Sequence, residues 1–264
     1  MTAARAETAR ENKSTRATFS KDALENPFAE GAFRWVAEGK YTEGERQGER
    51  CVTKWFKKGS VYEDEFFRED IKAVEKTIDL VSAWNNLNIV NKTIMVNRAT
   101  VWTCDRRSGN WRGRKTLTEP FIHHFRKFNS NSGWANSKTP WPKVMQALSH
   151  FSYHVSGGQF VLCDLQGGIY SNAVVLTDPV ILSRTRSYGV TDLGPSGILT
   201  FFHRHVCNEY CSRKWSQPRE TAAYFPERKG TSMELTTQHH VPTEPYRPQL
   251  SAHYEDYEDS DSDY

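Results

Sequence analysis

An α+β fold in two lobes is what this sequence predicts, and three observations predict it. Short β-type runs dominate residues 33–56, one clear helical periodicity follows over 65–85, and strand and helix patterns then alternate up to residue 205. Hydrophobic residues make up 37% of the 264, with eight tryptophans, enough for a real core. Both ends of the chain are polar, which accounts for a mean hydropathy of -0.71 around an otherwise ordinary interior. The folded core is therefore expected at about residues 25–216.

The elements follow in order. Phe33–Val36 and Arg50–Phe56 are expected as strands. Over Glu65–Asn85 the residues Phe66, Ile71, Val74, Ile78, Val81 and Trp84 recur near every third or fourth position, the spacing of a helix. Ile94–Val96 and Thr100–Trp102 are short β runs, and Trp141–Leu148, entered through prolines, is a helix leading into Ser149–Tyr153. Phe160–Cys163 is a continuous apolar run, the pattern of a buried strand, and it ends at Asp164. Gly197–His205 is a helix leading into two cysteines. Residues 1–24 show no apolar periodicity and are expected as a disordered leader. Residues 217–264, broken by five prolines and closing on the acidic run His253–Tyr264, are expected as a disordered tail.

Bulk properties exclude several classes. A net charge of +3 does not by itself point to nucleic acid, and no run approaches the roughly 18 apolar residues that span a bilayer. The first twenty residues have no hydrophobic centre and include Glu7 and Glu11, unlike a secretory or mitochondrial leader. Five cysteines are an odd, sparse set for a disulfide framework, so a reducing, cytoplasmic setting with no membrane partner is expected. The basic stretch Arg106–Lys115 holds a single aromatic, Trp111, which is too little for a base-stacking surface and reads as a solvated loop.

Three groups of residues carry chemistry. Cys207 and Cys211 are four apart, so on a helix both thiolates share a face, and His205 stands close enough to join them. Such N and S donors favour tetrahedral zinc. The fourth ligand is expected to be His150, with His154 and His203 as alternatives. A filled sphere leaves no water position, so the site would be structural. The competing interpretation is a surface histidine beside two unrelated cysteines. Asp164 and Gln166 would point to one side if their strand continues, and their oxygens suit a hard ion such as Mg²⁺. Asp178, held extended before Pro179, adds a second carboxylate, the pairing that phosphoryl transfer requires. Lys54 interrupts an apolar strand, where a lysine can hold phosphates. Gly31 is the single glycine of Asn26–Arg34, a weak phosphate loop that is neither a Walker loop nor G-x-G-x-x-G.

Together these stretches resemble the alpha-kinase family. The resemblance rests on Phe28–Arg34, Val52–Lys54, Thr118–Phe121, Lys127–Trp134, Ser149–Tyr153, Asp164–Gly167, Leu176–Pro179, Asp192–Gly194 and the set His205, Cys207 and Cys211. It covers about residues 25–215. It implies a two-lobed atypical protein-kinase-like fold, with lobes at about 25–118 and 119–216 and a structural zinc in the second. It also implies ATP- and Mg²⁺-dependent phosphoryl transfer to serine or threonine of a protein substrate. Lys54 would contact the ATP phosphates, with Arg34 nearby under the glycine loop that holds Gly31, and Glu119 would lie at the hinge facing the adenine. Asp164 and Gln166 would hold magnesium, and Asp178 would be the catalytic aspartate. Gly189–Gly197, including Thr191, Asp192 and Gly194, would be the substrate loop. His150, His205, Cys207 and Cys211 would bind the zinc.

Two departures stand out. The stretch between Gln166 and Asp178 looks long for the family, which bears on metal geometry, and Asp192 stands where Asn is common, which would alter peptide preference. A pseudokinase that keeps fold and zinc without chemistry is the alternative function. No oligomeric state follows from the sequence.

Overall fold

The computed structural model describes residues 1–6, 12–31, 33–136 and 139–229. Among the described residues the chain forms two compact units, one of Met1–Phe66 with Val101–Thr118, the other of Phe67–Thr100 with residues 119–229. The long helix of residues 68–85 thus belongs to the second unit, whereas a simple division at residue 118 would have put it in the first.

The first unit runs through β1 (Thr2–Arg5), β2 (Ser14–Phe19), α1 (Lys21–Glu25), β3 (Ala29–Glu30), β4 (Arg34–Gly44) and β5 (Arg50–Phe56). After α2 (Arg68–Asn85) and β6 (Thr93–Val96) of the second unit, it is completed by β7 (Thr100–Cys104) and β8 (Lys115–Pro120). Its sheet has the order β2-β1-β7-β8-β5-β4-β3, and β2 also pairs with β4. That extra pairing closes six strands into a ring, which removes the open edges a sheet would otherwise expose. A ring this small has little room inside. Its inner positions alternate small Ala4, Ala17, Ala37 and Cys51 with large Phe19, Tyr41 and Trp102, all buried. Gly39 is needed here, because a Cβ at that position would collide with the Phe19 ring.

This arrangement corrects the disordered leader expected at residues 1–24. Those residues supply β1 and β2, two of the six strands of the ring, and then α1, capped by the Ser20 hydroxyl. They escaped notice because Thr-Ala-Ala-Arg and Ser-Thr-Arg-Ala-Thr-Phe present small residues inward apart from Phe19, so the alternation carries little hydrophobic contrast.

In the second unit the chain continues through β9 (Arg126–Lys127), α3 (Pro140–Val155), β10 (Phe160–Cys163), β11 (Gln166–Ile169), β12 (Ala173–Leu176), β13 (Val180–Ser183) and α4 (Gly194–Arg204). β6-β12-β11-β9 form one sheet and β10-β13 a two-stranded ribbon. Trp84 of α2 and Met145, Leu148 and Phe151 of α3 close over Ile94, Leu162, Val174, Leu176 and Ile181. A second cluster packs α4, through Ile198, Phe201 and Phe202, onto Val161, Cys163 and Leu182. The apparently lengthened stretch after Gln166 is the β11–β12 hairpin, and β12 runs parallel to β6 from Ala173↔Thr93 to Leu176↔Val96.

Strands β5 and β10 have the expected bounds. α3 runs seven residues beyond Leu148, which places His150 on the helix, and α4 starts at Gly194, three residues before the expected Gly197. Residues 217–229, expected as part of a disordered tail, hold no helix or strand but are tied down. Tyr224 N donates to Thr200 Oγ1 (3.0 Å), Arg228 N to Ser132 Oγ (3.0 Å), and the Arg204 guanidinium to the carbonyls of Ser132 and Phe225. The acidic run His253–Tyr264 lies outside the described residues. No helix among the described residues is long and apolar enough to cross a membrane.

Candidate active site and metal centre

The β10–β13 ribbon brings two aspartates together. Its last pair is Cys163↔Val180, so Asp164 and Pro179 leave the ribbon at the same end. Proline has no N–H to continue the ladder, and the pairing stops there. Both aspartates then adopt left-handed backbone, Asp164 at φ 56° and Asp178 at φ 46°. Side chains rarely tolerate this region, and the position before a proline also disfavours helical angles. Two expectations are corrected here. Asp164 and Gln166 do not lie along one continuing strand, and Asp178 is not extended.

Surrounding groups hold the turn. Leu165 N donates to Asn129 Oδ1 (2.8 Å), Phe128 N donates to Leu165 O (2.9 Å), and Asn129 Nδ2 donates to Ser149 Oγ (3.0 Å). Gln166 Nε2 bridges Asp164 Oδ2 and the Asp178 carbonyl, each at 3.3 Å. Lys127 Nζ lies 2.6 Å from Asp164 Oδ1, and the Asp164 side chain is only 2% exposed. A carboxylate this deep is kept ionised only by a cation or several donors. Asp164 therefore presents a preformed anionic position, and Gln166, its nitrogen engaged, has Oε1 left to offer. Hard oxygen donors of this kind match magnesium. Sequence reasoning assigned no role to Lys127, Asn129 or Thr177; the motif Lys127–Trp134 was visible, but nothing local says which of its residues reaches Asp164.

Thr177 Oγ1 donates to the buried Glu119 carboxylate, 2.7 and 2.8 Å from its two oxygens. This ties the end of β8 to the residue preceding Asp178. The loop Gly189–Gly197 is likewise internally braced. Asn131 Nδ2 donates to Thr191 O (2.9 Å). The Asp192 carboxylate is fully buried and accepts from Ser183 N (2.8 Å), Ser183 Oγ (2.6 Å), Gly194 N (2.9 Å) and Tyr188 N (3.3 Å). Burial raises its pKa above the ordinary carboxylate range, against the pull of these donors. Asp192 thus faces inward as the loop's anchor, so an effect on peptide preference would act through the shape of the loop. Gly194 has φ +67° and a Cβ there would collide with Arg186, while Gly197 lets α4 approach Leu182 closely.

In the first unit, Lys54 is buried on β5 opposite Val36 of β4. Its neighbour Thr53 donates to Thr116 Oγ1 (2.8 Å). Gly31 N donates to Arg34 O (2.8 Å), closing the β3–β4 hairpin, and the Arg34 guanidinium stacks 4.8 Å from the Phe56 ring centroid. The segment read as a weak phosphate loop is therefore a hairpin turn.

His150, His205, Cys207 and Cys211 converge, with one ligand atom of each within 4.8 Å of the others. Cys207 Sγ is 3.6 Å from His150 Nδ1 and 3.7 Å from His205 Nε2, and Cys211 Sγ is 3.8 Å from His205 Nε2. A tetrahedral zinc with ordinary bond lengths sets sulfur and nitrogen about 3.5–3.6 Å apart. The four positions therefore fit one metal ion. His150 Nε2 meets the Ser216 carbonyl at 3.1 Å, which orients Nδ1 toward the cluster. Burial lowers the pKa of both imidazoles, that of His205 to about 4 with His150 adding to the effect, so both are neutral and ready to ligate. Burial, reinforced by Cys207, pushes the Cys211 thiol up to about 11, so an incoming cation would displace its proton. The cysteines do not lie on a helix as expected: α4 ends at Arg204 and both stand in the following turn, where Cys211 N donates to Asn208 O (3.0 Å). Of the two alternative ligands, His154 instead holds Ser216 through Nδ1 (3.2 Å), and His203 is exposed.

The sequence model of the Alpha-kinase family matches residues 29–211, and the chain belongs to the alpha-kinase family. It is 31% identical over 190 residues to alpha-protein kinase 1 of Dictyostelium discoideum, covering 70% of this chain and 13% of that protein. It is 30% identical over 189 residues to myosin heavy chain kinase B of the same organism, 70% of this chain and 24% of that one. To human eukaryotic elongation factor 2 kinase it is 38% identical over 90 residues, 32% of this chain and 11% of the other. The chain thus spans no more than 24% of these relatives. Among solved structures, an alpha kinase from Entamoeba histolytica superposes with a TM-score of 0.65 at 24% identity, covering 83% of this chain and 85% of that one. The apoenzyme alpha-kinase domain of myosin-II heavy chain kinase A superposes with a TM-score of 0.60 at 25% identity, covering 74% and 86%.

Proposed function

We propose that this chain is an ATP- and Mg²⁺-dependent protein kinase that phosphorylates serine or threonine of a protein substrate. The observation that carries the reading is the pair of left-handed aspartates at one ribbon end, with Gln166 bridging them and Lys127 on the buried one. Family membership supports it. Lys54 would hold ATP phosphates with Arg34 nearby under the Gly31 turn, and the end of β8 at Glu119 would face the adenine. Asp164 and Gln166 would hold magnesium, which when bound offsets phosphate charge. Asp178 would orient the acceptor hydroxyl and take its proton as the oxygen attacks the γ-phosphorus and the bond to the β-phosphate breaks, releasing ADP. Gly189–Gly197 would form the rim that meets the substrate. Zinc at His150, His205, Cys207 and Cys211 would be structural, since four protein ligands leave no position for water.

The test is transfer of labelled γ-phosphate from ATP to an array of serine- and threonine-containing basic peptides. Asp178→Ala is expected to lower the rate by about 10²–10⁴ while circular dichroism and bound zinc stay unchanged. Undiminished transfer in that variant would remove Asp178 from the mechanism. No transfer by the zinc-loaded wild type would favour a non-catalytic interaction module.

A further inference from the structure

The hairpin between β7 and β8 is a cationic surface that the catalytic reading leaves unused. Its frame is fixed: Ser108 Oγ donates to Ala3 O (3.0 Å), and a 3-10 turn over Gly109–Trp111 is closed by Arg112 N on Gly109 O (3.0 Å). The acid at its base, Asp105, is engaged by Arg16 (3.2 Å) and Arg5 (3.7 Å), and Lys115 is paired with Asp64 (2.9 Å). The side chains of Arg106, Arg107 and Arg112 are exposed and make no ion pair or hydrogen bond to another described residue. Three like charges held on one tight turn repel each other, and an anionic partner relieves that repulsion.

The aromatic neighbour narrows the choice of anion. Trp111 packs edge-on against Trp55, with centroids 5.0 Å apart at 88°, and the Arg114 guanidinium lies 5.2 Å from its ring centroid. A single, partly buried aromatic already engaged by a guanidinium is a poor stacking platform for bases. The partner is thus met by guanidinium forks, which pair well with carboxylates. The chain itself carries a matching segment in Glu255, Asp256, Glu258, Asp259, Asp261 and Asp263, with no lysine or arginine after Arg247. Residues 230–253 tether it to the last described residue. Extended, that tether reaches about 80 Å, and it keeps the acidic run at a local concentration of about a millimolar. We infer that the acidic C-terminal run docks on the Arg106, Arg107 and Arg112 hairpin of the same chain.

The experiment compares the full chain with a full-length variant whose six acids are changed to Asn or Gln. A fluorescent peptide of residues 253–264 is titrated into each and followed by anisotropy. It should bind the neutralised chain about tenfold more tightly than the native chain, whose own tail competes, and about 0.5 M salt should remove binding. Adding Arg106→Ser, Arg107→Ser and Arg112→Ser to the neutralised chain should abolish binding with circular dichroism unchanged. Hydrogen exchange over residues 105–115 should be slower in the native chain than in the neutralised one. Equal peptide affinity for the two chains overturns the inference, as does no binding to either. Protection that falls instead on the basic residues Arg213 and Lys214, or a single-stranded RNA that binds the hairpin where the peptide does not, overturns it as well.

Discussion

Asp164 combines two demands that oppose each other: it is 2% exposed, and the magnesium-binding role proposed for it requires a charged carboxylate. Lys127 resolves this by sitting 2.6 Å from one oxygen. Removing that partner leaves a buried charge uncompensated, so Lys127→Met should destabilise the fold by about 3 kcal/mol. Millimolar Mg²⁺ should restore part of the loss, because the ion takes the lysine's place beside the carboxylate. Thermal melts with and without Mg²⁺ would check this, and a loss that Mg²⁺ leaves untouched would contradict it. Asp192 makes a different prediction. Burial raises its pKa, so the folded chain holds a proton that the unfolded chain has already released at the same pH. The stability this contributes is full below the ordinary carboxylate range and is lost as pH rises through the raised value. The stability difference between wild type and Asp192→Asn should therefore shrink as pH rises from about 4. Denaturant melts across pH would show it, and a difference that grows with pH would contradict it. The chemical identity of these residues was legible in the sequence. Their partners, at separations such as Lys127 to Asp164 or Asn131 to Thr191, were not, because nothing in a local pattern encodes which distant backbone will lie alongside.

The turn after α4 is held by contacts to α3 rather than by regular structure of its own. His150 reaches it from α3, Asn208 Nδ2 donates to Lys143 O (3.0 Å), and Trp215 packs 5.5 Å from the His150 ring and 5.4 Å from Phe151. A bound metal would complete this junction. Cys211→Ser should therefore reduce bound zinc from about one equivalent to near zero and lower the melting temperature of the zinc-loaded protein. It should also change tryptophan fluorescence through Trp215. Metal analysis and melting curves would test this; full zinc content in the variant would exclude Cys211 as a ligand. Three members of the converging cluster were readable because His-x-Cys-x-x-x-Cys is a compact pattern, and His150 was the favoured of three candidates for the fourth. The reason given for that pattern was wrong, since the cysteines lie beyond the helix end. A four-residue spacing serves a turn as well as a helix, and only the fold distinguishes the two.

The first unit depends on its ends meeting. β2 pairs with β1 on one side and β4 on the other, and Phe19 fills the space that Gly39 leaves open. Deleting residues 1–19 would open the ring at two ladders and uncover Ala37, Tyr41 and Trp102. Such a truncation should be unfolded or aggregated in its first unit, visible as loss of cooperative melting, whereas a truly disordered leader could be removed without effect. The second unit was the more readable, because α2, α3 and β10 bury large apolar residues whose periodicity survives in one dimension. From residue types and spacing alone came the α+β class, the acids at Asp164 and Asp178, and a candidate His/Cys metal cluster whose fourth member stayed open among His150, His154 and His203. The closed ring, the left-handed turns that bring those acids together, the inward anchor at Asp192 and the long-range partners were decided only in three dimensions. Apolar periodicity reports burial along one element, whereas strand closure by small residues, strained backbone and buried hydrogen bonds depend on which distant segments meet.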